Sequence, residues 1–445
     1  TAKKNFASPM HSHKMGSVNS ITDLFAMMGF ANEANARIST YQEPFVGFQK
    51  VVGDDGSISH QFMGLYTLGA DKGDKNTFGY DKKAFPNYFA IEGSDNAPLL
   101  TLFRVPYNKN KSYITYNATE EALQYNGANS WDYNSGAADS GVASETKAKF
   151  DSQWAEPYNF VYSCSPRLKP FFGTIDELNS NTQLAIHKNQ PYEFWCLDYN
   201  VYYYEVAEGK FIPSDIGNGT INLKTQLCGK GYGLEESQLG GSMEQQNQLF
   251  INARVQKFKL EASNYFDIDD ALFGDIWVEF NAGTDNRAKN TYPYIFGLLT
   301  DGFRWRWRHD DTDTIFDITN QGQSLKPYYV EVGDAYENGQ PVWNGETNNF
   351  FNLLALAFAD RKAELARRFM DAMASLSGLE KGTSYEKLMA FYDKYYWSNA
   401  QEYFAQALYN ADTKFSHETA KLAQIEGRYS NDTDPLTQAL GDHYS

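Results

Sequence analysis

Between Asn19 and Gly29 apolar residues return at steps of three and four, through Ile21, Leu24, Phe25 and Met28. That spacing predicts a short amphipathic helix stopped at Gly29. The pattern then turns extended: residues 45–52 run into Gly53, Asp54, Asp55 and Gly56, and residues 60–68 return, which predicts a hairpin. A β-like run, Tyr199, Asn200, Val201, Tyr202, Tyr203, Tyr204, Glu205, Val206, lies in a stretch rich in Tyr, Asn, Gly and Ser. From 258 to 280 the pattern is helical again. It is followed by Gly302, Phe303, Arg304, Trp305, Arg306, Trp307 and Arg308, where Trp and Arg alternate with period two and predict a strand with one aromatic face. The Trp side is expected in the core, and the Arg side is expected to pair with carboxylates.

The C-terminal part has the clearest helical periodicity. Leu354, Phe358, Leu365, Phe369, Met373 and Leu376 form one core-facing stripe, and Gly378 stands where that helix should stop. Thr383 and Glu386 have capping-box spacing for a second helix, with Leu388, Phe391, Tyr395, Tyr403 and Leu408 on its apolar positions. The whole reads as α+β, divided into a β-rich part over 1–105, a Tyr- and Asn-rich insertion over 106–257, a mostly helical part over 258–380 and C-terminal helices over 381–445. No internal repeat interrupts this order.

Composition narrows the classes. With 31 Tyr and 31 Phe in 445 residues the chain is too rich in bulky groups to stay disordered. Its 39 Lys and Arg against 56 Asp and Glu leave a net charge of -17, which opposes a grip on nucleic acid or anionic lipid. No apolar run approaches the length of a membrane span. Cys164, Cys196 and Cys228 lack zinc or disulfide-scaffold spacing and read as buried free thiols. A start at Thr1-Ala2-Lys3-Lys4 reads as a processed product or a segment of a longer polypeptide.

Candidate chemistry gathers at Asp285, Asn290 and the cluster Asp310, Asp311 and Asp313 that follows the Trp/Arg strand. Asp311 and Asp313, two residues apart in extended chain, would share a side, and hard oxygen ligands so placed can hold Mg²⁺. Asp285 and Asn290 have the D-x-x-x-x-N spacing of a kinase catalytic loop, in which Asp accepts the substrate hydroxyl proton and Asn binds metal. The bland alternatives are a capped turn at Asp285 and Asn290 and a solvated acidic turn at Asp310–Asp313. Cys228, Gly229, Lys230, Gly231, Tyr232 and Gly233 are glycine-rich, but they do not make a P-loop and read as plain loop.

The strings Asp285-Asn286-Arg287-Ala288-Lys289-Asn290-Thr291-Tyr292 and Trp305-Arg306-Trp307-Arg308-His309-Asp310-Asp311-Thr312-Asp313 resemble the C-lobe motifs of the CotH family of atypical kinases. Gly64-Leu65-Tyr66-Thr67-Leu68 is similar to that family's "G-x-Y-x-L" strand, and Ser12-His13-Lys14-Met15 to the segment before its helix. The resemblance implies a two-lobed kinase-like module with Asp285 as catalytic-loop aspartate. It also implies Asn290, Asp311 and Asp313 as metal ligands, and ATP with Mg²⁺ or Mn²⁺ as cofactors. The acidic residue expected after the "G-x-Y-x-L" strand is offset to Asp71, and a nucleotide-contacting lysine has no clear position, with Lys3 and Lys4 the candidates by proximity. The Tyr-rich insertion also looks like the tail (muzzle) virion proteins of crAss-like phages.

Two readings follow from these resemblances. The first is a structural virion protein of a phage tail, a homo-oligomer among other virion proteins, with weak or no catalysis. Its contact surfaces would lie near Tyr199–Tyr204 and in the helices after Thr383. The second is an active ATP- and metal-dependent protein kinase of a spore coat or secreted setting.

Overall fold

The computed structural model describes residues 2–3, 12–30, 42–68, 87–93, 114–117, 122–125, 144–164, 168–171, 174–180, 194–197, 200–205, 208–213, 235–239, 243–281, 283, 286, 291–309, 315, 336–337, 340–341 and 349–397. In chain order these form β1 (Ala2–Lys3), α1 (Ser12–Met27), β2 (Glu43–Val52), β3 (Ile58–Leu68), β4 (Phe89–Gly93), β5 (Ile114–Asn117) and β6 (Ala122–Tyr125). There follow α2 (Ser144–Ser163), β7 (Leu168–Phe171), α3 (Ile175–Ser180), β8 (Phe194–Leu197), β9 (Asn200–Glu205), β10 (Lys210–Pro213), α4 (Met243–Glu261) and α5 (Ile268–Phe280). The remainder is β11 (Thr291–Ile295), β12 (Arg306–His309), β13 (Tyr336–Glu337), β14 (Gln340–Pro341), α6 (Asn349–Ala357), α7 (Ala359–Leu376) and α8 (Ser384–Tyr392), closed by a π-helical turn at Asp393–Trp397. The protein is α+β, with small, mostly antiparallel sheets. None of the described helices is long and apolar enough to cross a membrane.

α5 is mostly apolar, and every residue from Asp270 to Val278 is buried, as expected for a helix enclosed by other elements. Asp267 caps its start by accepting from the Asp270 amide, and Asp269 and Asp270 complement the helix dipole there. The helical pattern of 258–280 therefore holds two helices. α4 ends at Glu261, a 3-10 turn spans Ala262–Asn264, and Phe266 bridges in parallel to Trp305 before α5 begins.

Around α5 one apolar cluster draws Phe25 from α1, Phe89 and Ile91 from β4, Trp154 from α2, Phe258 from α4, Trp305 and Trp307, Phe350 and Phe351 from α6, and Phe369 from α7. Its strands belong to a sheet of order β12-β11-β4-β6-β5, antiparallel except where β4 runs alongside β6. A second sheet, β10-β9-β8-β7, contains the Tyr-rich run, and Tyr202 packs with Ile175 against Leu178 and Phe211.

α1 begins seven residues before Asn19 but stops where expected, with Gly29 at φ 84°, and Ile21, Leu24, Phe25 and Met28 are all buried. The hairpin is present as β2 and β3. The long C-terminal stripe is split at Phe358, which leaves helical geometry between α6 and α7. Gly378 follows α7 with φ 78°, and the Thr383–Glu386 capping box is formed in both directions. Tyr403 and Leu408 lie outside the described residues.

Cys164 is a buried free thiol at the end of α2, and burial pushes it up to about 12. Near pH 8 its thiolate fraction is then on the order of one in ten thousand. Iodoacetamide should leave Cys164 unmodified in the native protein and label it in guanidinium, read by peptide mass spectrometry; rapid native labelling would contradict this packing. Since the folded value lies above the thiol's ordinary value near 9.0, stability from the neutral thiol is present below about pH 9 and is lost as pH rises toward 12.

Candidate functional site

The two ends of α5 are tied to the two chain segments that lead to the candidate carboxylates. At its C-terminal end, buried Asn281 donates from Nδ2 to the Trp277 carbonyl at 3.1 Å and accepts at Oδ1 from the Tyr396 hydroxyl at 2.6 Å. Ser20 Oγ lies 3.1 Å from the same hydroxyl, so α1, α5 and the closing turn meet at one buried polar point. Burial first of all raises the Tyr396 phenol well above its ordinary value, so it acts as a neutral donor.

The next residues are held as closely. The Gly283 amide bonds the Val278 carbonyl at 2.9 Å, and a Cβ at this glycine would stand 2.8 Å from Oδ1 of Asn286. Gly283 and Asn286 are both buried, so the chain is anchored on each side of Asp285.

At the N-terminal end of α5 the anchored element is β12. Asp270, buried, accepts from the Trp307 amide at 2.7 Å, and Asp267 bonds Arg306 at 2.9 Å. The Asp267 amide donates to the Trp305 carbonyl, and the Trp305 amide donates to Tyr265. Arg306 thus pairs with a carboxylate as expected, whereas Arg304 bonds the carbonyls of Ser263 and Phe303. Trp305 and Trp307 are both in the core.

β11 and β12 pair antiparallel with Thr291 opposite His309. The segment containing Asp285 and Asn290 leads directly into Thr291, and Asp310, Asp311 and Asp313 directly follow His309. The entry to β11 and the exit from β12 are therefore neighbours, since paired Cα atoms in such a ladder are about 5 Å apart. Asp285, Asn290, Asp310, Asp311 and Asp313 themselves lie outside the described residues, as do Lys4, Asp71 and the glycine-rich loop from Cys228 to Gly233. Among the described residues, no group of three His, Cys, Asp or Glu stands together as a metal site.

The sequence reading overlooked the residues that anchor this region. Asn281 and Asn286 carried no distinctive signal beyond their place after an apolar helix. Asp270 did, because Asp267 and Asp270 have N-cap spacing ahead of an apolar run. Comparisons with protein-family models, curated proteins and solved structures return no match.

Proposed function

We propose that the chain is a structural subunit of a larger assembly, a phage tail by its resemblance, built around a two-lobed CotH-kinase-like module with weak or no catalysis. The observation that supports an assembly role is the β2–β3 hairpin. From Phe48 to Gln61 its residues are exposed apart from Gly53, and they include Phe48, Val51, Val52 and Ile58. A two-stranded ribbon with apolar groups in water is marginal in isolation and gains by being covered. Electron microscopy of the native particle tests the proposal. Several copies related by symmetry are expected there, and a chain that is monomeric and absent from any particle would refute it.

A second reading, an active ATP- and metal-dependent kinase of the CotH type, is favoured by the shared end of β11 and β12, to which both candidate motifs attach. There Asp285 would take the substrate hydroxyl proton, and Asn290, Asp311 and Asp313 would hold Mg²⁺ or Mn²⁺. Incubation with radiolabelled ATP and either metal should give little or no phosphate transfer. Robust transfer that disappears in both Asp285→Ala and Asp311→Ala would establish the kinase instead.

A further inference from the structure

Asp followed by Gly occurs twice in the chain, at Asp55-Gly56 and at Asp301-Gly302. In such a pair the amide nitrogen of the glycine can attack the γ-carbon of the aspartate, since no Cβ on the glycine obstructs the approach. The N–Cγ bond forms, the amide proton and the carboxyl hydroxyl leave as water, and a five-membered succinimide remains. Water then opens that ring at either carbonyl. One opening restores aspartate, and the other gives isoaspartate, in which the main chain runs through the γ-carbon and is one carbon longer. The hydroxyl leaves only from a protonated carboxyl, so donors that hold the carboxylate ionised oppose the reaction.

The two pairs are alike in most respects. Both lie in exposed turns, and both glycines have positive φ, 80° at Gly56 and 89° at Gly302, with no atom within 4 Å of where a Cβ would stand. Their nitrogens are held alike, Gly56 donating to the Gly53 carbonyl at 2.9 Å and Gly302 to the Leu299 carbonyl at 3.1 Å. The carboxylates differ. Asp55 accepts from the Ser57 amide at 2.9 Å, and the Ser57 hydroxyl, then its amide, hold the Asp55 carboxyl below the usual carboxylate range. Gly53 leaves room for this lock, because a Cβ there would stand 2.7 Å from Ser57 Oγ and 2.8 Å from Asp55 Oδ1. Among the described residues the Asp301 carboxylate accepts only from the hydroxyl of its neighbour Thr300, at 3.4 Å. Asp301 also ends a three-residue 3-10 turn, Leu299–Asp301, of the short kind that frays.

We propose that Asp301-Gly302 is a site of isoaspartate formation in the native protein, and that Ser57 holds Asp55-Gly56 back from the same reaction. The chemistry needs only the chain and water, so it is independent of what the protein assembles with. Each conversion at Asp301 adds a carbon to the turn between β11 and β12, inside the loop that the Phe303 amide closes onto the Leu298 carbonyl at 3.3 Å. That loop is tightly built. The Phe303 ring lies so close to Gly297 that a Cβ there would stand 2.4 Å from it. Ageing by this route is therefore directed at the turn leading into Trp305 and Trp307, and the tip of the β2–β3 hairpin is spared.

The test incubates the full chain at neutral pH with moderate warming, folded and in guanidinium, and measures isoaspartate in the two peptides by electron-transfer fragmentation after digestion. In guanidinium the two sites should convert at rates within about twofold of each other, since each has a glycine next in the chain. In the folded protein Asp301 should convert on the order of tenfold faster than Asp55, because the hydrogen bonds from Ser57 must break first. Ser57→Ala and Gly53→Ala each disturb the lock in an exposed turn. Either should raise the folded Asp55 rate several-fold, with the Asp301 rate and helical circular dichroism unchanged. Conversion at Asp301 that is absent from the folded protein, or no faster than at Asp55, would refute the proposal. So would an Asp55 rate that neither variant raises.

Discussion

Replacing Trp307 by alanine should destabilise the protein by about 3–5 kcal/mol. Trp307 is almost wholly buried and stacks on Phe350 with ring centroids 4.1 Å apart and planes 9° from parallel. It also meets Phe351 edge-on at 5.8 Å and Phe266 at 5.9 Å. Truncation would open a cavity walled by rigid rings, which cannot turn or lengthen to fill it, so little of the loss would be recovered by relaxation. The backbone amide of the same residue bonds Asp270, so a cavity there would also loosen β12 at the point where it is tied to α5. Trp307→Phe keeps one ring against Phe350 and should lose less than half as much. Urea unfolding followed by helical circular dichroism would measure both. A shift of less than about 1 kcal/mol for Trp307→Ala would mean that this aromatic stack does not hold the core.

That tryptophan was legible from alternation alone. In Trp305-Arg306-Trp307 only one period-two assignment puts the rings inside and the guanidinium out, and Arg306 then finds Asp267 without further help. The hairpin, the stop at Gly29 and the Thr383–Glu386 box were legible for the same kind of reason: each is decided by residues within a few positions of one another. The break at Phe358 was not. Its residue is apolar and sits on the stripe, and its ring meets Phe258 of α4 edge-on at 6.1 Å, a contact distant in sequence that local pattern does not encode. The sheet order was equally hidden, since β4 reaches β11 across about 200 residues of chain. For the candidate site, spacing identified Asp285, Asn290, Asp311 and Asp313, but it could not reveal that Thr291 would face His309. Nor could it reveal that Asn281 and Asn286 would be buried as anchors, because asparagines of that kind are spread along the whole chain.

Two neighbouring cations on α7 should respond to substitution in the same direction but by very different amounts. Arg361 bonds Asp269 and Glu364, but all three side chains are at least a third exposed, so solvent and salt screen the pairs. Arg361→Ala should cost less than about 1 kcal/mol. Lys362 lies one residue on and reaches inward, 2.7 Å from Asp275, whose side chain is 2% exposed, and 2.6 Å from Glu279. Burial alone would lower its ammonium, but Asp275 and then Glu279 outweigh that and hold it above its ordinary value. Lys362→Met would leave the Asp275 carboxylate in the core without this cation and should cost about 3–4 kcal/mol. Because the lysine's folded value is raised, the pair's contribution is fully present below about pH 10.5 and is lost only as pH rises through the folded value. The loss in Lys362→Met should therefore be nearly constant from pH 6 to 9 and only weakly sensitive to salt. A second substitution separates charge from packing: Lys362→Met with Asp275→Leu removes both charges and should regain most of the loss, since an apolar pair of similar volume avoids the desolvation of the ions. If the double variant is no more stable than Lys362→Met, the contribution of Lys362 lies in its aliphatic stem and not in its charge.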